Sequence, residues 1–166
     1  MTGAEKASSL ADFIEVSWRD LGEPCSARTI DMACRFADIR CRAFDPATAV
    51  LAHGDAHAWN TLVVPGGGAR RFKFVDPGGL FIERAYDLGI SMREWAAELL
   101  AGDPVALGRR RCLQLARLTG VAPEPIWQWG FIERTSNGLL LLKLGLDQLG
   151  HEFLTVAEAW GRADPF

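Results

Sequence analysis

Long apolar runs are scarce in this sequence. The longest, Leu139-Leu-Leu-Leu142, is closed by Lys143 and falls far short of the roughly 20 residues that a membrane helix needs. No membrane partner is expected. The opening residues carry no basic-then-apolar leader, so the expected location is cytoplasmic. Cysteine is limited to residues 25, 34, 41 and 112, without a CxxC pair or a ligand-like cluster with histidine. That argues against a zinc or dithiol centre and for reduced thiols. Cys34 and Cys41 lie seven residues apart, near neighbours on one helix surface, which suits small core packing better than redox chemistry. Excess charge is lacking as well. A net charge of −3 gives no reason to expect nucleic acid and only a slight bias toward a cationic ligand. Lysine is confined to positions 6, 73 and 143, and only Gly3 and Gly22 precede Gly54.

What is present suits an ordinary globular chain. The 166 residues are 49% apolar and 23% charged, which favours one domain over residues 1–166 with a real core. Residues 8–21 read as a helix capped by Ser8 or Ser9, with Leu10, Phe13, Ile14, Trp18 and Leu21 on one face. A second helix spans 26–44, with Ile30, Ala33, Ala37, Cys41 and Phe44 along a stripe. Further helices are expected at about 86–100, 105–119, from Pro123 to about 146, and at 147–161. The stretch from Leu139 to Leu146 is apolar almost all round, which marks its helix as the buried central one. Residues 77–84 read as an irregular loop. There is no internal repeat.

The chemistry gathers in the middle. His53-Gly-Asp-Ala-His-Ala-Trp-Asn60 follows Leu51-Ala52, and Asp76-Pro-Gly78 follows Phe72-Lys-Phe-Val75. Between them lies an apparent hairpin of Thr61–Val64 and Arg71–Val75, turned by Pro65-Gly-Gly-Gly68. The Gly66–Gly68 run is a turn and not a phosphate cradle, because no helix follows it. A hairpin returns the chain to its start, so Asp55, Asn60 and Asp76 are expected to converge at one end of a small sheet, although Asp76 follows Asn60 by 16 residues. Oxygen donors of this kind suit Mg²⁺, which takes one or two carboxylates together with substrate phosphates. A further aspartate beside the ion is placed to receive a hydroxyl proton.

The stretch His53-Gly-Asp-x-His-x-x-Asn60, then Asp76-Pro-Gly78, then Ala85-Tyr-Asp-Leu-Gly89 resembles the aminoglycoside phosphotransferase family. The likeness is nearest to its streptomycin 6-kinase and hydroxyurea phosphotransferase branch. The resemblance runs over roughly residues 8–160. It implies an α+β, mainly α fold: the C-terminal lobe of the protein-kinase-like fold, with a small hairpin carrying the catalytic and metal-binding loops. It implies transfer of the γ-phosphoryl group of ATP, assisted by Mg²⁺, to a hydroxyl of a small molecule. Residue by residue, Asp55 becomes the catalytic base, and Asn60 and Asp76 become the metal ligands. Asn60 and His57 become nucleotide contacts, with simple packing equally open for His57. His53 and Asp87 brace the catalytic loop, and Asp87 doubles as a cap on the following helix.

Glu83, Glu133, Asp147 and Glu152 are candidates for gripping a cationic substrate, against a solvated surface role for each. Arg109-Arg-Arg111 reads as a solvated helix face, and Trp127, Trp129 and Trp160 as core or cleft wall. One part of the pattern has no counterpart: a glycine-rich strand pair over the phosphates and a strand-borne lysine to hold them. The expectation is a lobe that partners an N-terminal lobe from elsewhere, or a piece of a longer enzyme. The alternative is a non-catalytic remnant that binds a metal-nucleotide or a small polar ligand.

Overall fold

The first helix begins where the local sequence can satisfy its free N–H groups. The computed structural model describes residues 1–66 and 71–163. It is an α+β structure, mainly α, with 65% of the described residues helical. Helix α1 spans Gly3–Asp20, not 8–21. Thr2 and Glu5 form a capping box: the Thr2 N–H donates to Glu5 Oε2 at 2.7 Å, and the Glu5 N–H to Thr2 Oγ1 at 3.3 Å. That reciprocal cap moves the start ahead of Ser8. Helix α2 covers Ala27–Arg42 and buries Ile30, Ala33 and Ala37.

Strand β1 (Val50–Ala52) pairs antiparallel with β4 (Leu80–Ile82), opposing Leu51 to Phe81. The stretch read as an irregular loop thus contains a strand. Between them β2 (Thr61–Val64) and β3 (Arg71–Phe74) form the expected hairpin, opposing Val63 to Phe72. Part of its turn, Gly67 and Gly68, lies outside the described residues.

Helix α3 runs Ala85–Arg93 and α4 runs Ala96–Leu100, where one continuous helix was expected. The break is at Glu94-Trp95, with Trp95 in the left-handed region at φ 68°. Then follow α5 (Pro104–Thr119), α6 (Pro123–Lys143) and α7 (Asp147–Gly161). Helix α5 is capped by Asp103, which accepts the N–H groups of Val105 and Ala106, and it closes on Gly120.

Helix α6 is central, packed against α1, α2, α3, α5 and α7. Its buried part is Ile126–Leu139, whereas Leu140, Leu144 and Leu146 beyond it are exposed. The helix is the buried central one, as expected, but the apolar stretch from Leu139 to Leu146 that marked it is not its most buried part. The difference has a packing cause: the first half is lined by Trp127, Trp129 and Gly130, which meet α3 and α7. All three candidate tryptophans are core residues. Among the described residues no helix is long and apolar enough to cross a membrane.

Candidate active site

The His53–Asn60 loop leaves β1 through a turn that only glycine accommodates. Gly54 has φ 86°, and a Cβ there would lie 3.0 Å from Leu80 Cγ. Two anchors hold the loop. Asp87, in the first turn of α3, accepts the N–H groups of His53 and Gly54, both at 2.8 Å. His53 accepts the Asp55 N–H at Nδ1 (3.2 Å), so Nε2 carries the proton and donates to the Val75 carbonyl at 3.0 Å. His53 therefore joins the first loop to the end of β3. The Gly79 N–H adds a second tie, to the His53 carbonyl at 3.1 Å.

Asp55 is the most heavily bonded side chain of the loop. Its Oδ2 accepts from Asn60 Nδ2 at 3.1 Å and from His57 Nε2 at 3.1 Å. Asn60 Nδ2 also donates to the Asp55 carbonyl at 3.1 Å. His57 accepts the Trp59 N–H at Nδ1 (3.2 Å), which leaves Nε2 as the donor toward Asp55. Between the two options for His57, its contacts are with the loop itself. The short 3₁₀ turn Ala58–Asn60 brings the Asn60 amide back over Asp55.

The other oxygen, Oδ1, accepts from Arg93 Nη2 at 3.0 Å. Arg93 is the residue sequence reasoning missed. It ends α3, six residues after Asp87, and its other nitrogens reach Glu94 and Glu133. The Asp55 side chain is 43% exposed. Partial burial pushes its carboxyl pKa up. The hydrogen bond and charge of Arg93, and then His57, outweigh this and hold it below the ordinary carboxylate value.

Asp76 lies two residues past the end of β3, in the left-handed region at φ 57°. The preceding Val75 N–H donates to the Asn60 carbonyl at 2.9 Å, so backbone pairing brings Asp76 beside Asn60. The structure joins Asp55, His57 and Asn60 through side-chain bonds, and joins Asp76 to them through backbone pairing alone. Among the described residues the Asp76 carboxylate has no hydrogen bond or ion pair, and the Asn60 amide oxygen accepts none. Nor do the described residues hold three His, Cys, Asp or Glu side chains arranged for a metal. The Asn60 amide and the Asp76 carboxylate are oxygen donors of the type a hard cation takes, and alone they do not make an all-protein metal cage.

The other charged candidates have different surroundings. Glu133 is buried, where a surface position was favoured; Tyr86, Arg93 and Lys6 surround it, the last at 3.7 Å. Glu83 pairs with Arg40 at 3.2 Å and accepts from Trp129 Nε1 at 2.8 Å. Neither is placed to grip a substrate cation. Asp147 is exposed, and Glu152 is half-buried beside Gln148. Arg109 and Arg110 are exposed as expected, but Arg111 turns inward and donates to the Glu94 carbonyl at 3.0 Å. Apolar side chains flank the loops openly: Trp59 is 88% and Leu51 80% exposed, with Val63, Phe72 and Phe74 also exposed. Compared with known proteins, the chain matches no family model, no curated protein and no solved structure.

Proposed function

We propose that this chain is the C-terminal lobe of a kinase-like phosphotransferase of the aminoglycoside or hydroxyurea type. Its reaction would move the γ-phosphoryl group of ATP to a hydroxyl of a small molecule. One observation carries the reading. Asp55 is held in a braced loop by Asn60 and His57, while among the described residues the Asn60 amide oxygen and the Asp76 carboxylate have no protein partner.

In this reading the residues divide the work. Asp55 accepts the hydrogen bond of the acceptor hydroxyl and orients its oxygen toward the γ-phosphorus. As the new O–P bond forms, the bond to the β-phosphate oxygen breaks, ADP leaves, and the hydroxyl proton passes to Asp55 and then to water. A carboxylate held below its ordinary pKa is a weak base. That suits a loose transition state, where positioning outweighs proton abstraction. Asn60 and Asp76 would hold Mg²⁺, which when bound neutralises charge on the phosphate oxygens. His53 and Asp87 keep the loop from moving. The setting would be cytoplasmic, where ATP is abundant.

The reading also calls for a partner lobe that covers the phosphates and supplies a lysine. Lys6 is engaged with Glu133 and Lys143 with Asp20, and Lys73 lies on β3 after the catalytic loop. The open apolar faces of the hairpin and of β1–β4 are the surface such a lobe would cover. The same observations favour a second reading, a remnant lobe that no longer transfers phosphate.

Transfer of labelled phosphate from ATP to streptomycin, other aminocyclitols and hydroxyurea separates the two. The expected result is Mg²⁺-dependent product that Asp55→Ala reduces by about 10²-fold or more. Absence of Mg²⁺-dependent ATP binding at millimolar nucleotide leaves the remnant reading.

A further inference from the structure

We infer that Arg93 is the positioning residue for Asp55, fixing the carboxylate so that one acceptor position, on Oδ1, is left for an incoming hydroxyl. The consequence for catalysis rests on the phosphotransferase reading; the geometry does not. Arg93 has an 11% exposed side chain, and its three nitrogens go to three carboxylates. Nη2 bonds Asp55 Oδ1 at 3.0 Å, Nη1 bonds Glu133 Oε2 at 3.2 Å, and Nε bonds Glu94 Oε1 at 3.1 Å. A guanidinium is planar and rigid, so fixing two of its edges aims the third.

The anchor on the inner side is firm. Glu133 sits on α6 with its side chain 5% exposed, and its other oxygen receives the Tyr86 hydroxyl. Tyr86 and Arg93 stand seven residues apart on α3, on one helix face. Both grip the same carboxylate of α6. A line of charge-assisted bonds therefore runs from the buried core through Arg93 to the loop.

The acceptor positions of Asp55 can be counted. A carboxylate offers about four lone-pair sites. Asn60 and His57 take the two on Oδ2, and Arg93 takes one on Oδ1. The carboxylate plane is held from both sides, and any large rotation breaks at least one bond. Without Arg93 the Oδ1 side is unrestrained, and the aim of Asp55 depends on two loop residues alone.

The test uses the full chain with Arg93→Met, Arg93→Lys and Asp55→Asn, the first also combined with the last. Two measurements are made: hydrogen exchange of the Asn60 side-chain amide by NMR, and steady-state phosphate transfer. Arg93→Met is expected to speed Asn60 exchange while backbone exchange in α6 stays as in the wild type. It should lower kcat about 10²-fold with little change in acceptor KM. Added guanidinium should restore part of that loss, and Arg93→Lys should lie between. In the double variant the Arg93 change should cost nothing further, because it acts through Asp55.

Unchanged Asn60 exchange, or an undiminished kcat, overturns the inference. If the wild type neither transfers phosphate nor binds Mg²⁺-ATP at millimolar nucleotide, the phosphotransferase reading fails on its own, and the exchange arm still decides the role of Arg93. If Arg93→Met fails to fold, Arg93→Lys, which keeps a cation against Glu133, carries both comparisons.

Discussion

Asp55 is opposed by two effects of different sign. Partial burial favours its neutral form, and the Arg93 and His57 contacts favour the charged form; the second pair wins. Its folded pKa therefore lies below the unfolded one. Such a group stabilises the fold above the unfolded carboxylate range, and the contribution is lost as pH falls through the folded value. Asp55→Asn removes this linkage. The variant should be less stable than the wild type at neutral pH, and the gap should close as pH falls from about 5 to about 2. Urea unfolding across that range checks it. A gap that stays constant with pH would mean that the charge of Asp55 contributes nothing to folding.

At the scale of elements, the site depends on how closely α3 can lie against α6. Gly89 and Gly130 make the approach possible. A Cβ on Gly89 would stand 2.5 Å from Trp129 Cβ and 3.0 Å from the Gly130 nitrogen. A Cβ on Gly130 would stand 2.5 Å from Met92 Cβ. Gly89→Ala must push α3 outward, at a cost of about 1–3 kcal/mol typical of overpacking. Because Asp87 and Arg93 ride on α3, the loop should loosen with it. The expected outcome is a lower unfolding midpoint together with faster exchange at the His53 and Gly54 amides. Unaltered exchange at those two amides would show the loop to be independent of α3.

This crossing also shows where sequence reasoning reaches and where it stops. The hairpin and the two loops were legible because turn residues and alternation act within a few positions, as at Asp55, Asn60 and Asp76. The capping box at Thr2 and Glu5 was equally local; the polar run after it hid the helix start. Glu133 was read as a surface residue because nothing nearby in the chain announces its burial, which is set by Tyr86, Arg93 and Lys6 from two other helices. The β1–β4 pairing escaped notice for the same reason. It joins strands almost thirty residues apart, and each is only three residues long.

On the whole molecule, apolar surface is unevenly shared. Helices α6 and α7 bury Trp127, Trp129 and Trp160, while the strands and the loop leave apolar side chains open: Leu51, Trp59, Val63, Phe72, Phe74 and Phe81. An exposed patch of this kind is an association surface or an aggregation liability. Val63 and Phe72 are direct cross-strand partners on one hairpin face, so they can be exchanged together for an ion pair. Val63→Glu with Phe72→Lys gives up no buried core. The stability change should stay below about 1 kcal/mol, within the range of cross-strand pairs. Binding of a hydrophobic dye, and any concentration-dependent self-association seen by sedimentation, should fall. The same double variant should lose affinity for a lysine-bearing β-rich lobe if that lobe is what covers the hairpin. A large drop in the unfolding midpoint would show instead that the hairpin face belongs to the folding core, and the case for a covering lobe would lose its physical basis.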